Sequence, residues 1–243
     1  MFKKIAYIIL AISLGAYILL SSFFIKEPMA DVVCGKVSIV VVDTLERHFI
    51  SEKEVVSILK NANLYPQGKA MLDIDTEKME ARLQENKLIK DAQVYKTTGG
   101  DIKIKIYQRI PLMRVIGANT SYYIDMQGEV MPVVSQYTAY VPLISGHVTK
   151  EHAQGDLFTF AKYLHDNKFW DAQIEQIYVH PNKDVELTPR VGNHQILLGD
   201  LADFEEKLNH LKLFYNQAMN QTGWNRYSMI NLKYKNQIVC TRR

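Results

Sequence analysis

The sequence predicts an α+β protein: a single N-terminal transmembrane helix, a small unit of strands and helices, then a strand-rich β domain with flanking helices. Three observations predict it. Residues 5–25, IAYIILAISLGAYILLSSFFI, carry no charge. Segments of strand and helix period then follow one another as strand, helix, helix, strand, strand. Beyond Pro111 the pattern turns to short strand-like pieces punctuated by Pro and Gly, with two helical stretches among them.

The apolar run comes first. At a rise of 1.5 Å per residue it covers about 30 Å as a helix, the thickness of a bilayer's hydrocarbon core. Ile5, Leu10, Leu20 and Ile25 mark out its apolar length. Lys3 and Lys4 precede it with no acid beside them, which places residues 1–4 in the cytoplasm and the bulk of the chain outside. A cleaved signal peptide would have a shorter apolar core and close on small residues. This run closes on Phe23-Phe24-Ile25, and Pro28 stands where a small residue is wanted, so retention as an anchor is expected. A lipid on Cys34 is disfavoured by Asp31 in its approach.

The remainder of the 243 residues suits one large domain or two small ones. A formal net charge of +3 is too mild for nucleic-acid binding, which requires clustered basic residues. The basic grouping Lys103-Ile104-Lys105 alternates with isoleucine and reads as the wet face of a strand. Cys34 and Cys240 lie far apart in the sequence; a bridge in an oxidising compartment and two unpaired thiols are both compatible with it.

Val37 to Val42 is a β-branched run and reads as a strand. Ser51-Glu52-Lys53-Glu54 has capping-box form, and Val55, Ile58, Leu59 and Ala62 follow at helical spacing. Tyr65-Pro66-Gln67-Gly68 ends that helix. A second helix begins around Asp75-Thr76 and presents Met79 and Leu83. A strand through Ala92, Val94 and Tyr95, a loop at Thr97–Asp101 and a strand with Ile102, Ile104 and Ile106 alternating complete the unit. In its order of elements it resembles a POTRA domain, the small module found beside membranes where one polypeptide docks on another.

Gln108-Arg109-Ile110-Pro111 closes that unit. Strands are then expected at Tyr122–Asp125, after the Gln127-Gly128 turn, and at 174–180, 185–187 and 195–198. One helix is expected from about Asp156, with Leu157, Phe160, Ala161 and Leu164 inward. Another, from Asp203, carries Phe204, Leu208, Leu211 and Tyr215 as core. The chain ends in Tyr227–Cys240, where Ile230, Leu232 and Tyr234 alternate with Asn231 and Lys233 as in a single strand.

With its anchor, POTRA-like unit and strand-rich domain, the chain resembles the FtsQ/DivIB family of bacterial cell-division proteins. The resemblance is carried by Q-R-x-P at Gln108–Pro111, Y-Y-I-D-x-x-G at Tyr122–Gly128 and G-x-x-x-x-x-L-G at Gly192–Gly199. It is carried most by Y-S-M-I-N-L-K-Y-K-N-Q-I-V-C at Tyr227–Cys240, which is similar to the Bacteroidetes form. It implies a cytoplasmic tail at 1–4, a transmembrane helix at 5–25, a POTRA-like domain at 26–108 and a C-terminal β domain at 109–243. It also implies an inner-membrane divisome scaffold at the septum, linking early division proteins to septal peptidoglycan synthesis proteins of the FtsW/FtsI type. The implied partners are coiled-coil proteins of the FtsB/FtsL type, held on a terminal edge strand through Lys233, Tyr234, Asn236 and Gln237. A cytoplasmic tail of about four residues is shorter than in many relatives.

No nucleophile elbow, P-loop, H-E-x-x-H or dinucleotide fingerprint occurs. His48, His147, His152, His165, His180, His194 and His210 are scattered and read as surface residues rather than a metal site. Asp125 and Asp156 would form an acid/base pair only if their local roles, beside a turn and at a helix start, left them free. No catalytic residue, cofactor, metal or small-molecule substrate is therefore expected. The competing readings are a membrane-anchored cell-wall hydrolase and a POTRA-bearing outer-membrane assembly factor. The second would need several such units or a barrel.

Overall fold

The computed structural model describes residues 10, 12–18, 20, 32–42, 49–117, 120–219, 221 and 223–243. Leu10, Leu20 and residues 12–18 are helical and exposed, while Ile5, Ile25 and the tail at 1–4 lie outside the described residues. Among the described residues, no helix is long and apolar enough to cross a membrane. The chain divides into two compact units.

The first unit is a three-stranded sheet of order β1-β3-β2, formed by Val37–Val42 (β1), Ile89–Lys96 (β2) and Ile102–Gln108 (β3). Helices Glu52–Asn61 (α1) and Thr76–Gln84 (α2) cover one of its faces. The capping box forms as expected: Ser51 Oγ accepts from Glu54 N, and the Glu54 carboxylate accepts from Ser51 N at 2.7 Å. Asp75 caps α2 through Lys78 N. Val55, Leu59, Met79 and Leu83 from the helices are buried with Ala92, Val94, Ile102, Ile104 and Ile106 from the strands. The helical period of 3.6 and the strand period of 2 thus meet in one core.

The second unit is a nine-stranded sheet of order β12-β11-β10-β9-β8-β7-β4-β5-β6. Its strands are Pro111–Ile116 (β4), Ser121–Asp125 (β5), Val130–Pro132 (β6), Leu143–Gly146 (β7), Ile174–Val179 (β8), Val185–Pro189 (β9), Gln195–Gly199 (β10), Tyr227–Asn231 (β11) and Val239–Arg242 (β12). Helices Lys150–Gln154 (α3), Asp156–Asp166 (α4), Lys168–Gln173 (α5) and Phe204–Phe214 (α6) share a core with it. That core holds Phe160, Leu164, Trp170, Leu208, Leu211 and Tyr215 against Ile124, Ile144, Ile177, Leu187, Ile196 and Ile230. Tyr123, next to Ile124, points to the opposite face and packs with Phe49, Leu88 and Met131.

Sequence reasoning misses β4, where Leu112 and Met113 are both buried and no strict alternation shows, and the short helices α3 and α5, which span too few turns for their period to register. It also errs at the end of the chain: Tyr227–Cys240 is not one strand but β11, a turn and β12. The bridge between Cys34 and Cys240 is not made, and both are free thiols. Each is taken up in its own unit. Cys34 is buried with Sγ toward the Lys36 carbonyl at 3.8 Å, and Cys240 lies opposite Ile230 and packs on the second core. Burial raises the pKa of each.

Candidate partner-binding site

The end of the chain builds one margin of the large sheet. β10 and β11 are parallel, Ile196 opposite Ile230, so the chain needs a crossover between them, and α6 supplies it. β12 then folds back antiparallel on β11, with Ile230 opposite Cys240 and Asn231 opposite Val239. β12 is the last strand of the sheet among the described residues. Its outer side therefore presents backbone N–H and C=O groups without a ladder partner. Val239, Thr241 and Arg242 are exposed.

Lys233, Tyr234, Asn236 and Gln237, expected on the edge strand, are instead the turn that leads into it. The causes are local. Asn231 Oδ1 accepts from Lys233 N at 2.9 Å, which ends β11. Asn236 takes a left-handed φ of 59°, a conformation asparagine tolerates better than most residues. Gln237 N donates to the Tyr234 carbonyl at 3.3 Å. Alternation stops at Leu232, whose N–H donates to the Leu197 carbonyl at 2.9 Å. Ile230 and Leu232 are core residues, and Tyr234 stands 56% exposed.

This turn and α6 bound a cleft of about 200 Å³ that takes in all four predicted residues. Facing them are Asp200, Asp203, Glu206, Lys207 and His210. A second depression of about 330 Å³ shares His210, Asn236, Gln237 and Ile238 and runs on past Leu213, Phe214 and Gln217. Together they form a groove beside α6, acidic at one end and apolar at the other. Leu213, 55% exposed, faces away from the stripe formed by Leu208, Leu211 and Tyr215. An exposed leucine off the core stripe of a helix is the sequence signal that would have located the groove.

Lys233 is not a free cation. Its ammonium lies 2.6 Å from Asp184 Oδ2 in the β8–β9 turn. The hydrogen bond from Lys233 holds the Asp184 carboxyl below its usual range, and Asp184 raises the pKa of Lys233 in return. The Lys233 stem crosses Gly199, where an added Cβ would come within 2.8 Å of Cγ. Lys233 thus fastens the turn, leaving Tyr234, Asn236 and Gln237 as the accessible members of the set. Lys207 is likewise engaged, at 2.7 Å from Asp200.

Deeper, His194 departs from the surface reading of the histidines: it is 2% exposed. Its Nε2 lies 2.8 Å from the Tyr215 hydroxyl, and burial together with Arg243 lowers its pKa. Burial pushes the Tyr215 phenol up. Trp224 packs on Tyr215 at 4.9 Å, and Tyr227 packs on Phe214, a lining residue of the groove, at 5.9 Å.

Asp125 is fully buried and fully engaged. Its Oδ2 lies 2.7 Å from Arg109 Nη1, and its Oδ1 accepts from Gln127 N and Glu129 N. Asp156 begins α4 with its side chain exposed. Among the described residues no group of three His, Cys, Asp or Glu side chains is placed to hold a metal ion. What the groove and open edge offer is binding: backbone pairing along β12 and an apolar bed for side chains next to it.

Comparison with known proteins adds two family matches. Residues 110–241 match the family described as FtsQ/DivIB, C-terminal related, and residues 32–107 match the POTRA-like domain. The chain is 27% identical over 186 residues to a cell division protein FtsQ of Rhodothermus marinus, covering 71% of this chain and 67% of that protein.

Proposed function

The chain belongs to the FtsQ/DivIB family of cell division proteins, and from that membership we propose that it is a divisome scaffold that works by binding alone. The observation that carries the reading is the open strand β12 beside the groove along α6. A coiled-coil protein of the FtsB/FtsL type suits that pair of features: an amphipathic helix for the groove, and an extended segment to add a strand to the edge. Tyr234, Asn236 and Gln237 make the contact, with Lys233 setting the turn that presents them. Residues 5–25 hold the chain in the inner membrane as a single-pass anchor, with residues 1–4 cytoplasmic and the bulk periplasmic at the septum. The POTRA-like domain, 26–108, recruits the chain, and the β domain, 109–243, connects the coiled-coil pair to FtsW/FtsI-type synthesis proteins. A shared membrane raises the effective concentration of partners, so modest intrinsic affinity suffices.

The test is co-purification of the full chain with an FtsB/FtsL-type pair, beside a Tyr234→Lys, Leu213→Glu variant whose folding is verified by circular dichroism. Binding by the parent and its loss in the folded variant is the expected result. Equal binding by both would move the contact away from the groove. Failure of the parent to bind any division protein would overturn the scaffold reading.

A further inference from the structure

The open face of the three-stranded sheet gathers residues that the groove does not use. Ile102, Ile104 and Ile106 are fully buried toward the helices, so Lys103 and Lys105 project from the other face of β3. On β2, Ala92 and Val94 are buried while Gln93 and Tyr95 face outward. The Lys105 ammonium lies 5.7 Å from the centre of the Tyr95 ring. On β1, Val40 and Val42 are 49% and 38% exposed. Because β3 is the middle strand, these side chains share one surface: two valines and a tyrosine around two lysines.

The charge is segregated. Glu52, Glu54, Glu77 and Glu80 lie on α1 and α2, on the far side of the sheet. Asp91 on β2 is engaged by the amides of Gln84 at 3.0 Å and Gln93 at 3.4 Å. Asp101, in the β2–β3 turn, accepts from Lys36 N. Among the described residues, neither Lys103 nor Lys105 forms an ion pair. Uncompensated lysines beside exposed valine and tyrosine match the two layers of a lipid interface. Lysine stems lie along apolar surface with the charge outward, and tyrosine is favoured at headgroup level.

We propose that this face docks on the anionic phospholipid surface of the bilayer that holds the anchor. The inference rests on the anchor reading of residues 5–25. The apolar run ends at Ile25 and β1 begins at Val37, so at most roughly 40 Å of extended chain separates the sheet from the membrane. Each lysine near an anionic surface multiplies docking by about fivefold. That is weak for a free protein but sufficient for a tethered one. Docking would hold the first unit at a fixed attitude to the membrane and leave the helical face for other proteins.

The test uses the full chain carrying Tyr95→Trp, reconstituted in vesicles of phosphatidylcholine, or of equal parts phosphatidylcholine and phosphatidylglycerol. Brominated phosphatidylcholine serves as a quencher of indole fluorescence. The parent, with Trp170 and Trp224, supplies the background, and flotation reports insertion. We expect floated chain with added quenching only in the phosphatidylglycerol vesicles. That quenching should be reversed by high salt and lowered about thirtyfold in docked-to-free ratio by Lys103→Gln with Lys105→Gln. Circular dichroism of the double variant establishes that the fold persists. Floated chain without added quenching, or with quenching indifferent to phosphatidylglycerol, overturns the docking. Quenching protection that appears only on adding a division protein overturns it too and assigns the face to an acidic protein surface. Chain that does not float overturns the anchor reading and this inference with it.

Discussion

Replacing Tyr234 by alanine separates binding from folding at the groove. In the free protein the side chain is 56% exposed, and among the described residues its hydroxyl makes no hydrogen bond on which the turn depends. Surface substitutions of this kind change stability by no more than about 0.5 kcal/mol. If a partner helix closes over the groove, the ring becomes a central aromatic contact, and truncating such a residue costs about 2 kcal/mol or more. That is a rise in Kd of roughly thirtyfold. Isothermal titration with an FtsB/FtsL-type periplasmic segment, beside a urea melt, reads both quantities on one variant. Ile230→Ala on the neighbouring strand is the control with the opposite signature. Its side chain is fully buried, so about 2–5 kcal/mol of stability is lost. A Tyr234→Ala protein that binds within threefold of the parent would refute the placement of the contact, whatever its melting temperature.

Four further outcomes follow from the geometry. Lys233→Ala should lower the melting temperature slightly at neutral pH. Because the Asp184 pKa is depressed, that difference should be present above the ordinary aspartate range and vanish as pH falls through the lowered value, which urea midpoints at neutral and acid pH would reveal. His194 has a lowered pKa, so the unfolded chain takes up the proton first and parent stability should decline as pH falls below about 6.5. A His194→Asn protein should show a flatter profile over that window. Gly146→Ala should cost about 3 kcal/mol or more, since φ is +94° and the new Cβ would lie 2.2 Å from the Val179 carbonyl oxygen, as a denaturant melt would show. Asp125→Ala strands a partly buried Arg109 and two backbone donors, for a loss of about 3–5 kcal/mol; a variant that melts with the parent would show that Asp125 is not structural.

Local rules made much of this fold legible. The Ser51 capping box, the alternating Ile102, Ile104 and Ile106, and the stripe from Phe204 to Tyr215 are each written in neighbouring residues, and each forms as its pattern predicts. The order of strands in the large sheet is not written that way. β4 joins β7, and β10 joins β11, through pairings whose partners are distant in sequence. The terminal turn shows the limit most clearly. Ile230, Leu232 and Tyr234 satisfy the strand period, but Asn231 and Asn236 end it through a side-chain acceptor and a left-handed backbone that periodicity does not weigh. The predicted residues stayed together even so, because a turn keeps sequence neighbours adjacent in space whether or not they form a strand.

That shift from strand to turn changes what the residues can do. Side chains on an edge strand select a partner by alternate pockets along the ladder, whereas side chains on a turn stand outside that ladder. Here the turn is braced by Lys233 against Asp184, and its outward residues close one wall of the groove. In the proposed function the groove and β12 would serve as successive parts of one binding path. A helix laid along Leu213 and Phe214 would deliver its chain past Asn236 to the free edge. Specificity would reside in the groove, where side chains differ, and much of the affinity in the strand, where backbone pairing is indifferent to sequence. Groove substitutions should consequently discriminate between partners, while disruption of β12 should weaken all of them alike.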